Sequence, residues 1–381
     1  MNERESQSHN LVQSASRLDI IQPSSHLAMA NVDPSQLPSA SFPHYLYRQL
    51  TYKPAPVRGV DLRGKTAIVT GANTGIGFET AKQLLQLGLS QLILVVRDEH
   101  KGAVAAGKLR VVDIDNSMTT TVPVVEVWKL DLSSYASVVA FAERVEKELD
   151  RLDYVVLNAG TWTPLGRVFN AETGHDEVIQ VNYLSTALLA ILLLRVIAKL
   201  NLEAARRSKD TSRSGEVAAF TPFRERSRDP LLHGLDHPPR GEKVDPTDRM
   251  FVSKLLGQFF VDRLARAVPA DVAVVNSASP GAAHGTEFNR DMRKTFAGRL
   301  AVRVQRWVAN APDVAARMIT DAVVNHGKET HGQFLSFQRV ISKAPIIYTD
   351  EGREISERLW KETMAEFSFA NAEEILSNFS H

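Results

Sequence analysis

The chain has 381 residues, 44% of them hydrophobic, which is enough for one large α/β domain or two smaller ones and too apolar for a chain disordered throughout. Its 45 basic and 44 acidic residues are spread along the sequence and leave a net charge of +1, so the charge balance gives no reason to expect nucleic acid or an anionic membrane as a partner. There is no cysteine, which removes disulfides, thiolate catalysis and cysteine-ligated zinc together and is compatible with a reducing, cytoplasmic compartment.

Residues 1–41 are charged and polar, contain no apolar run long enough for a signal peptide, and read as a disordered tail. Residues 42–57, "FPHYLYRQLTYKPAPV", read as an aromatic, proline-punctuated surface arm. "GVDLRGKT", Gly59 to Thr66, matches a P-loop letter for letter, but a Pro-rich arm precedes it and a strand follows it, the reverse of what a triphosphate cradle requires.

From Lys65 onward, apolar runs of strand length alternate with stretches of helical period, the mark of a parallel sheet with crossover helices. The expected strands are "TAIVT", "QLILVVRD", "VVEVWKLDL" and "LDYVVLNAG", separated by helices beginning near Gly75, Glu99 and Tyr135. A long helix follows from about Asp176 to Ala205; its most apolar part, Leu184–Leu200, is interrupted by Arg195 and Lys199 and is shorter than the ~20 residues of a membrane span. Residues 206–248 are charged and Pro/Gly-rich, and only "EVAAFT" within them has strand character. The helix "FVSKLLGQFFVDRLARAV", the strand "VAVVNSASP" and a C-terminal helix, strand and helix complete the pattern. No linker divides it. The expected fold is therefore a single doubly wound, Rossmann-type α/β domain with a parallel central sheet over residues 58–370, carrying 206–248 as an irregular insertion and 371–381 as a C-terminal tail.

The glycine-rich turn "TGANTGIG", Thr70 to Gly77, leaves a strand and opens a helix, as a dinucleotide fingerprint does. Gly71 permits the tight turn, Gly75 lets backbone N–H groups approach a pyrophosphate, and Gly77 lets helix and strand pack closely. With Asn73, Thr74 and Ile76 these glycines form the candidate cofactor loop, whose helix N-terminus favours phosphate. Roughly 20 residues further on, where a carboxylate would take the ribose 2′-OH of NAD, the residue is Arg97. A guanidinium pairs with a 2′-phosphate, which favours NADP; the alternative is that Arg97 simply pairs with the adjacent Asp98 on the surface.

"TGANTGIG", "LDL", "NAG", "VNYL", "VSKLL" and "SPG", in this order, resemble the motifs of the short-chain dehydrogenase/reductase family, in its fungal secondary-metabolism branch, across roughly Phe42 to Phe367. The resemblance implies hydride transfer between a nicotinamide and a carbonyl or alcohol carbon of a small-molecule substrate. It assigns Asp131 to the adenine, Asn158 to the central sheet beside the cofactor, Asn182 to ordering a proton-relay water and Lys254 to the nicotinamide ribose. Thr286, after the Pro-Gly turn, is a candidate donor to the carboxamide, or equally a helix N-cap. The apolar helix Leu184–Leu200 becomes a homodimer interface by the same resemblance, although its composition suits a buried core helix as well.

The family's proton donor is a tyrosine four residues before the lysine, its pKa lowered from about 10 by that neighbour. Four residues before Lys254 stands Met250, in "DRMFVSK", and none of the seven tyrosines has a lysine four residues on. A thioether has no proton to give. The serine expected at the end of the "EVAAFT" strand is replaced by Thr221 or Pro222, of which only Thr221 could donate. Two functions follow from these residues: an NADP(H)-dependent oxidoreductase using Lys254, Asn182, Thr221 and water, or a catalytically impaired relative that keeps cofactor or metabolite binding. His233 and His237 have the spacing of two metal ligands on a helix, but Gly and Pro surround them and no third ligand is evident, so no metal is expected.

Overall fold

The computed structural model describes residues 41–111, 122–204, 208–287 and 294–379. Apart from Ser41, the expected N-terminal tail lies outside them. Among the described residues, eight strands form one sheet in the order β3-β2-β1-β4-β5-β6-β7-β8. They are β1 (Thr66–Thr70), β2 (Gln91–Val96), β3 (Val124–Lys129), β4 (Tyr154–Leu157), β5 (Ser208–Arg213), β6 (Ala273–Ser279), β7 (Phe334–Ser336) and β8 (Arg339–Ile341). Each pairs parallel with its neighbours except β8, which turns back antiparallel on β7. The strand order reverses between β1 and β4, and a doubly wound sheet opens its ligand crevice at that point.

The helices are α1 (Phe42–Thr51), α2 (Gly75–Gln86), α3 (Glu99–Leu109), α4 (Tyr135–Glu148), a short α5 (Glu177–Ile179), α6 (Ser185–Ala204), α7 (Leu231–Asp236), α8 (Pro246–Ala267), α9 (Phe296–Val308), α10 (Pro312–Val324), α11 (Asp350–Glu366) and α12 (Ala372–Ser377). They cover both sheet faces and build two apolar cores. One contains Ile68, Val155 and Val275 with α4, α6, α8 and α11; the other contains Val69, Leu94 and Val156 with α2, α3 and α10. Glu177–Leu200 is long and apolar enough to cross a membrane, yet it lies inside the first core, where Leu188, Ile191, Leu193 and Leu194 are buried. Of the two readings of Leu184–Leu200, the core helix accounts for that burial within one chain.

Three expectations are corrected. The fifth strand is not "EVAAFT" but Ser208–Arg213, and Glu216–Phe220 is a turn of 3₁₀ helix whose Phe220 packs on the rings of Phe42 and Tyr45. "SKDTSR" contains no apolar residue, so hydrophobic patterning cannot find it; ladders to β4 and β6 on both sides hold it instead. The stretch read as an irregular insertion thus supplies a central strand. The residues read as a C-terminal tail include α12, because Ala372, Ile375 and Leu376 lie on one helical face and bury in the first core. The surface arm begins with α1, which is anchored by an ion pair from Arg48 to Glu216 and by Gln49, whose amide donates to the Ala282 and Val308 carbonyls. Helix α9 carried no expectation.

Candidate active site

The crevice opens above the C-terminal ends of β1 and β4. Its wall is the glycine turn. Gly71 has φ +63°, and a Cβ there would lie 2.9 Å from the Ala159 Cα; a Cβ on Gly77 would lie 2.3 Å from Asn158 Nδ2. No larger residue fits at Gly77 without displacing Asn158, whose amide donates to the Thr70 carbonyl at 2.9 Å and locks β4 to the turn. Helix α2 begins at Gly75, its N-cap Thr74 makes no side-chain cap, and its first N–H groups point out of the helix without intrahelical acceptors. These are the donors that suit a phosphate.

Gly71, Asn73, Thr74, Gly75, Ile76, Gly77, Arg97, Asp131, Asn158 and Thr286 all line this one crevice. Arg97 is exposed at its edge. Asp98 does not pair with it; the Asp98 carboxylate caps α3 by accepting from the Lys101 backbone N–H at 3.2 Å. Asp131 is held by its own turn, its carboxylate accepting from Ser133 N at 3.0 Å. Thr286 touches the glycine turn across the crevice, its Cγ2 lying 3.3 Å from where a Cβ on Gly75 would be.

Asn182 and Lys254 stand behind the floor of the crevice at Gly160. Around the position of a Cβ on Gly160, Asn182 Oδ1 is at 3.0 Å, Arg213 Nη2 at 3.1 Å and Lys254 Nζ at 3.7 Å. Asn182 lies in a π-helical turn between α5 and α6 (Gln180–Leu184) and is fully engaged. Its Oδ1 accepts from Thr161 N at 2.7 Å, and its Nδ2 donates to Thr161 O at 2.9 Å and to Ser253 Oγ at 3.0 Å. It therefore clamps the loop after β4 to α8. Met250, one turn before Lys254 on α8, is half-buried, and its carbonyl accepts from Ser253 Oγ.

Thr221 is elsewhere. Its hydroxyl donates to Asp248 Oδ1 at 2.5 Å and accepts from Phe223 N, and it is not among the residues lining the crevice. Asp248 is six residues before Lys254, which on a helix turning 100° per residue puts it on another face of α8. Arg213, at the C-terminal end of β5, occupies the place where sequence reasoning looked for a hydroxyl. It lines the crevice and donates to Asn158 Oδ1 at 3.3 Å. A serine does follow the strand: Ser214 is buried, with its hydroxyl 3.4 Å from Gln258 Nε2, one turn beyond Lys254. Neither position is legible in the sequence, for one reason: the fifth strand lies at Ser208–Arg213 and not at "EVAAFT".

The electrostatics of the floor are unusual. Burial, and then the positive charge of Arg213, push the Lys254 ammonium down to about 7. Burial lowers the Arg213 guanidinium to about 10, which leaves it charged near neutrality. His233 on α7 and His237 just after its C-terminal end, by contrast, stack ring on ring at 4.4 Å.

Residues 65–201 match the family profile described as short chain dehydrogenase. The chain is 41% identical over 348 residues to the short chain dehydrogenase/reductase mfmJ of Annulohypoxylon moriforme, covering 91% of this chain and 96% of that protein. It is 40% identical over 338 residues to the short-chain dehydrogenase fogG of Aspergillus ruber, covering 88% and 94%. Among solved structures, the Pseudomonas aeruginosa RhlG/NADP active-site complex shares the fold with a TM-score of 0.54 and 20% identity over 73% of this chain and 98% of that one. A glycine turn built for a dinucleotide, a crevice at the sheet's switch point and relatives matched over nearly their whole length lead to one conclusion: the chain belongs to the short-chain dehydrogenase/reductase family of oxidoreductases.

Proposed function

We propose that the protein is an NADP(H)-dependent oxidoreductase that moves a hydride to or from the ketone or secondary alcohol carbon of a small, rather apolar metabolite in a biosynthetic pathway. The observation that carries this reading is the convergence of Lys254, Arg213 and Asn182 beneath Gly160, at the floor of the crevice that the glycine turn walls. The donor set fits a dinucleotide. The N–H groups of Gly75, Ile76 and Gly77 would hold its phosphates, Arg97 a 2′-phosphate, Asp131 the adenine end and Thr286 the carboxamide. When bound, the nicotinamide supplies or accepts the hydride.

The chain's own residues handle the substrate oxygen. As a carbonyl carbon gains the hydride, negative charge grows on that oxygen, and the Arg213 guanidinium, half-buried at the crevice floor, stabilises it. With a pKa near 7, the Lys254 ammonium behind Gly160 would give up a proton more readily than an ordinary lysine and pass it to that oxygen through water, the part that Met250 cannot play. Asn182 acts through the backbone, fixing Thr161 and, through Ser253, the turn of α8 that carries Lys254. Thr221 takes no part.

The test is NADPH consumption over a panel of carbonyl compounds across pH. Reduction is expected to slow as pH rises through about 7, and Lys254→Met is expected to lose both the rate and that pH dependence. The missing proton at Met250 favours a second reading, a cofactor-binding protein that transfers no hydride. Saturable NADPH binding with no turnover of any carbonyl would establish that reading in place of the first.

A further inference from the structure

The even charge of the whole chain conceals a local segregation. From Lys294 to Pro312 the sequence carries four cations, Lys294, Arg299, Arg303 and Arg306, and no carboxylate. Helix α9 lies within this segment and presents two parallel stripes to solvent. One is apolar: Phe296, Leu300 and Trp307, at 78%, 57% and 86% exposure, fall on one side of the helix. The other is basic: Arg299, Arg303 and Arg306, spaced i, i+4, i+7, are exposed beside it, and none of the three forms an ion pair among the described residues. Large apolar side chains left this exposed mark a surface that meets something.

From this arrangement we infer that α9 docks the enzyme on a membrane surface rich in anionic lipid. An amphipathic helix lies in the interface with its Trp, Phe and Leu side chains among the acyl chains and its arginines at the headgroup phosphates. The apolar stripe is a single row of side chains. That suits shallow insertion better than a stable protein interface, which needs roughly 800 Å² from each partner. The helix is also tied to the crevice. His284 N donates to Asn310 O at 3.0 Å, Asn310 N to Ala282 O at 2.9 Å and Gln305 Nε2 to Ala283 O, so the loop that continues into Thr286 is braced by the end of α9. Docking would hold the mouth of the crevice near the lipid, where an apolar metabolite partitions. Surface binding by this helix is independent of the cofactor assignment.

The experiment is flotation of the full-length protein with vesicles of phosphatidylcholine alone and of phosphatidylcholine mixed with phosphatidylserine, with NADPH binding as the check on folding. Binding is expected to be at least about tenfold stronger to the anionic vesicles and to weaken with added salt, as surface electrostatics do. Arg303→Glu and Trp307→Ser are each expected to abolish it without changing NADPH affinity. No flotation with either vesicle, equal flotation with both, or unchanged flotation of both variants would overturn the inference. So would a wild-type dimer that Trp307→Ser converts to a monomer, because α9 would then be covered by a second copy.

Discussion

Replacing Asp210 with valine should stabilise the protein, by an amount that depends on pH. Asp210 lies in the middle of β5, in register with Val155 on β4 and Val275 on β6, so its side chain shares their face and enters the apolar core. Neither carboxylate oxygen has a hydrogen-bond partner among the described residues, and burial raises the carboxyl to about 7. Because the folded pKa is raised above the unfolded 3.8, the native protein keeps a proton that the unfolded chain loses between those values. Stability therefore falls as pH rises from about 4 to about 7 and stays low above that. Three pH units at about 1.4 kcal/mol each put the full loss at about 4 kcal/mol. That loss corresponds to roughly 8 °C or more in Tm for a domain of this size. Asp210→Val should thus raise Tm strongly at about pH 8 and much less at about pH 4, by thermal unfolding followed by circular dichroism. Asp210→Asn should flatten the same pH dependence with a smaller gain, since an unsatisfied polar group remains. The reasoning fails if Asp210→Val is less stable than the wild type at pH 8, or if its gain is the same at both pH values.

Two further outcomes follow. Met250→Tyr restores a phenol one turn before Lys254, and NADPH consumption on a carbonyl panel should rise by roughly 10²- to 10⁴-fold while cofactor affinity changes little; no gain with any substrate would count against hydride chemistry at this floor. His175 bonds Asp236 at 2.6 Å and Glu366 at 3.2 Å; burial opposes its charge, but the two carboxylates prevail and carry the imidazole to about 9. This folded value exceeds the unfolded one of about 6.5, so the stabilisation is complete below pH ~6.5 and disappears as pH climbs to ~9. His175→Asn should therefore lower Tm by several degrees at pH ~6 and scarcely at pH ~9.5, and an equal loss at both would refute the ion network.

What the sequence revealed tracks where backbone geometry or apolar periodicity dictates residue type. Gly71 and Gly77 are legible because a side chain at either would strike Ala159 or Asn158, and Leu92, Ile93 and Leu94 because a buried parallel strand has apolar neighbours on both faces. Strand β5 was not legible. Its buried residues Ser208, Asp210 and Thr211 are polar, its place is fixed by ladders that hydrophobicity does not report, and the apolar "EVAAF" nearby competes for the same reading. Shifting that strand moved the floor of the site with it, placing a hydroxyl at Thr221 where the fold puts the Arg213 guanidinium. Helix α9 is not legible in the same way, because three of its large apolar residues, Phe296, Leu300 and Trp307, face solvent and not a core. The Lys254 ammonium could be located by its motif, but its lowered pKa comes from burial and then from Arg213 on β5, neither of which the motif reports.

The most direct test of the cofactor assignment is a titration of the purified protein with NADPH and with NADH, followed by nicotinamide fluorescence, in the wild type and in Arg97→Glu. Arg97 at the edge of the crevice, with Asp98 turned away to cap α3, calls for saturable binding that prefers NADPH by at least about tenfold in the wild type, and for that preference to reverse towards NADH in Arg97→Glu. Binding of neither cofactor, or an equal preference in both proteins, would contradict the assignment of this crevice to NADP.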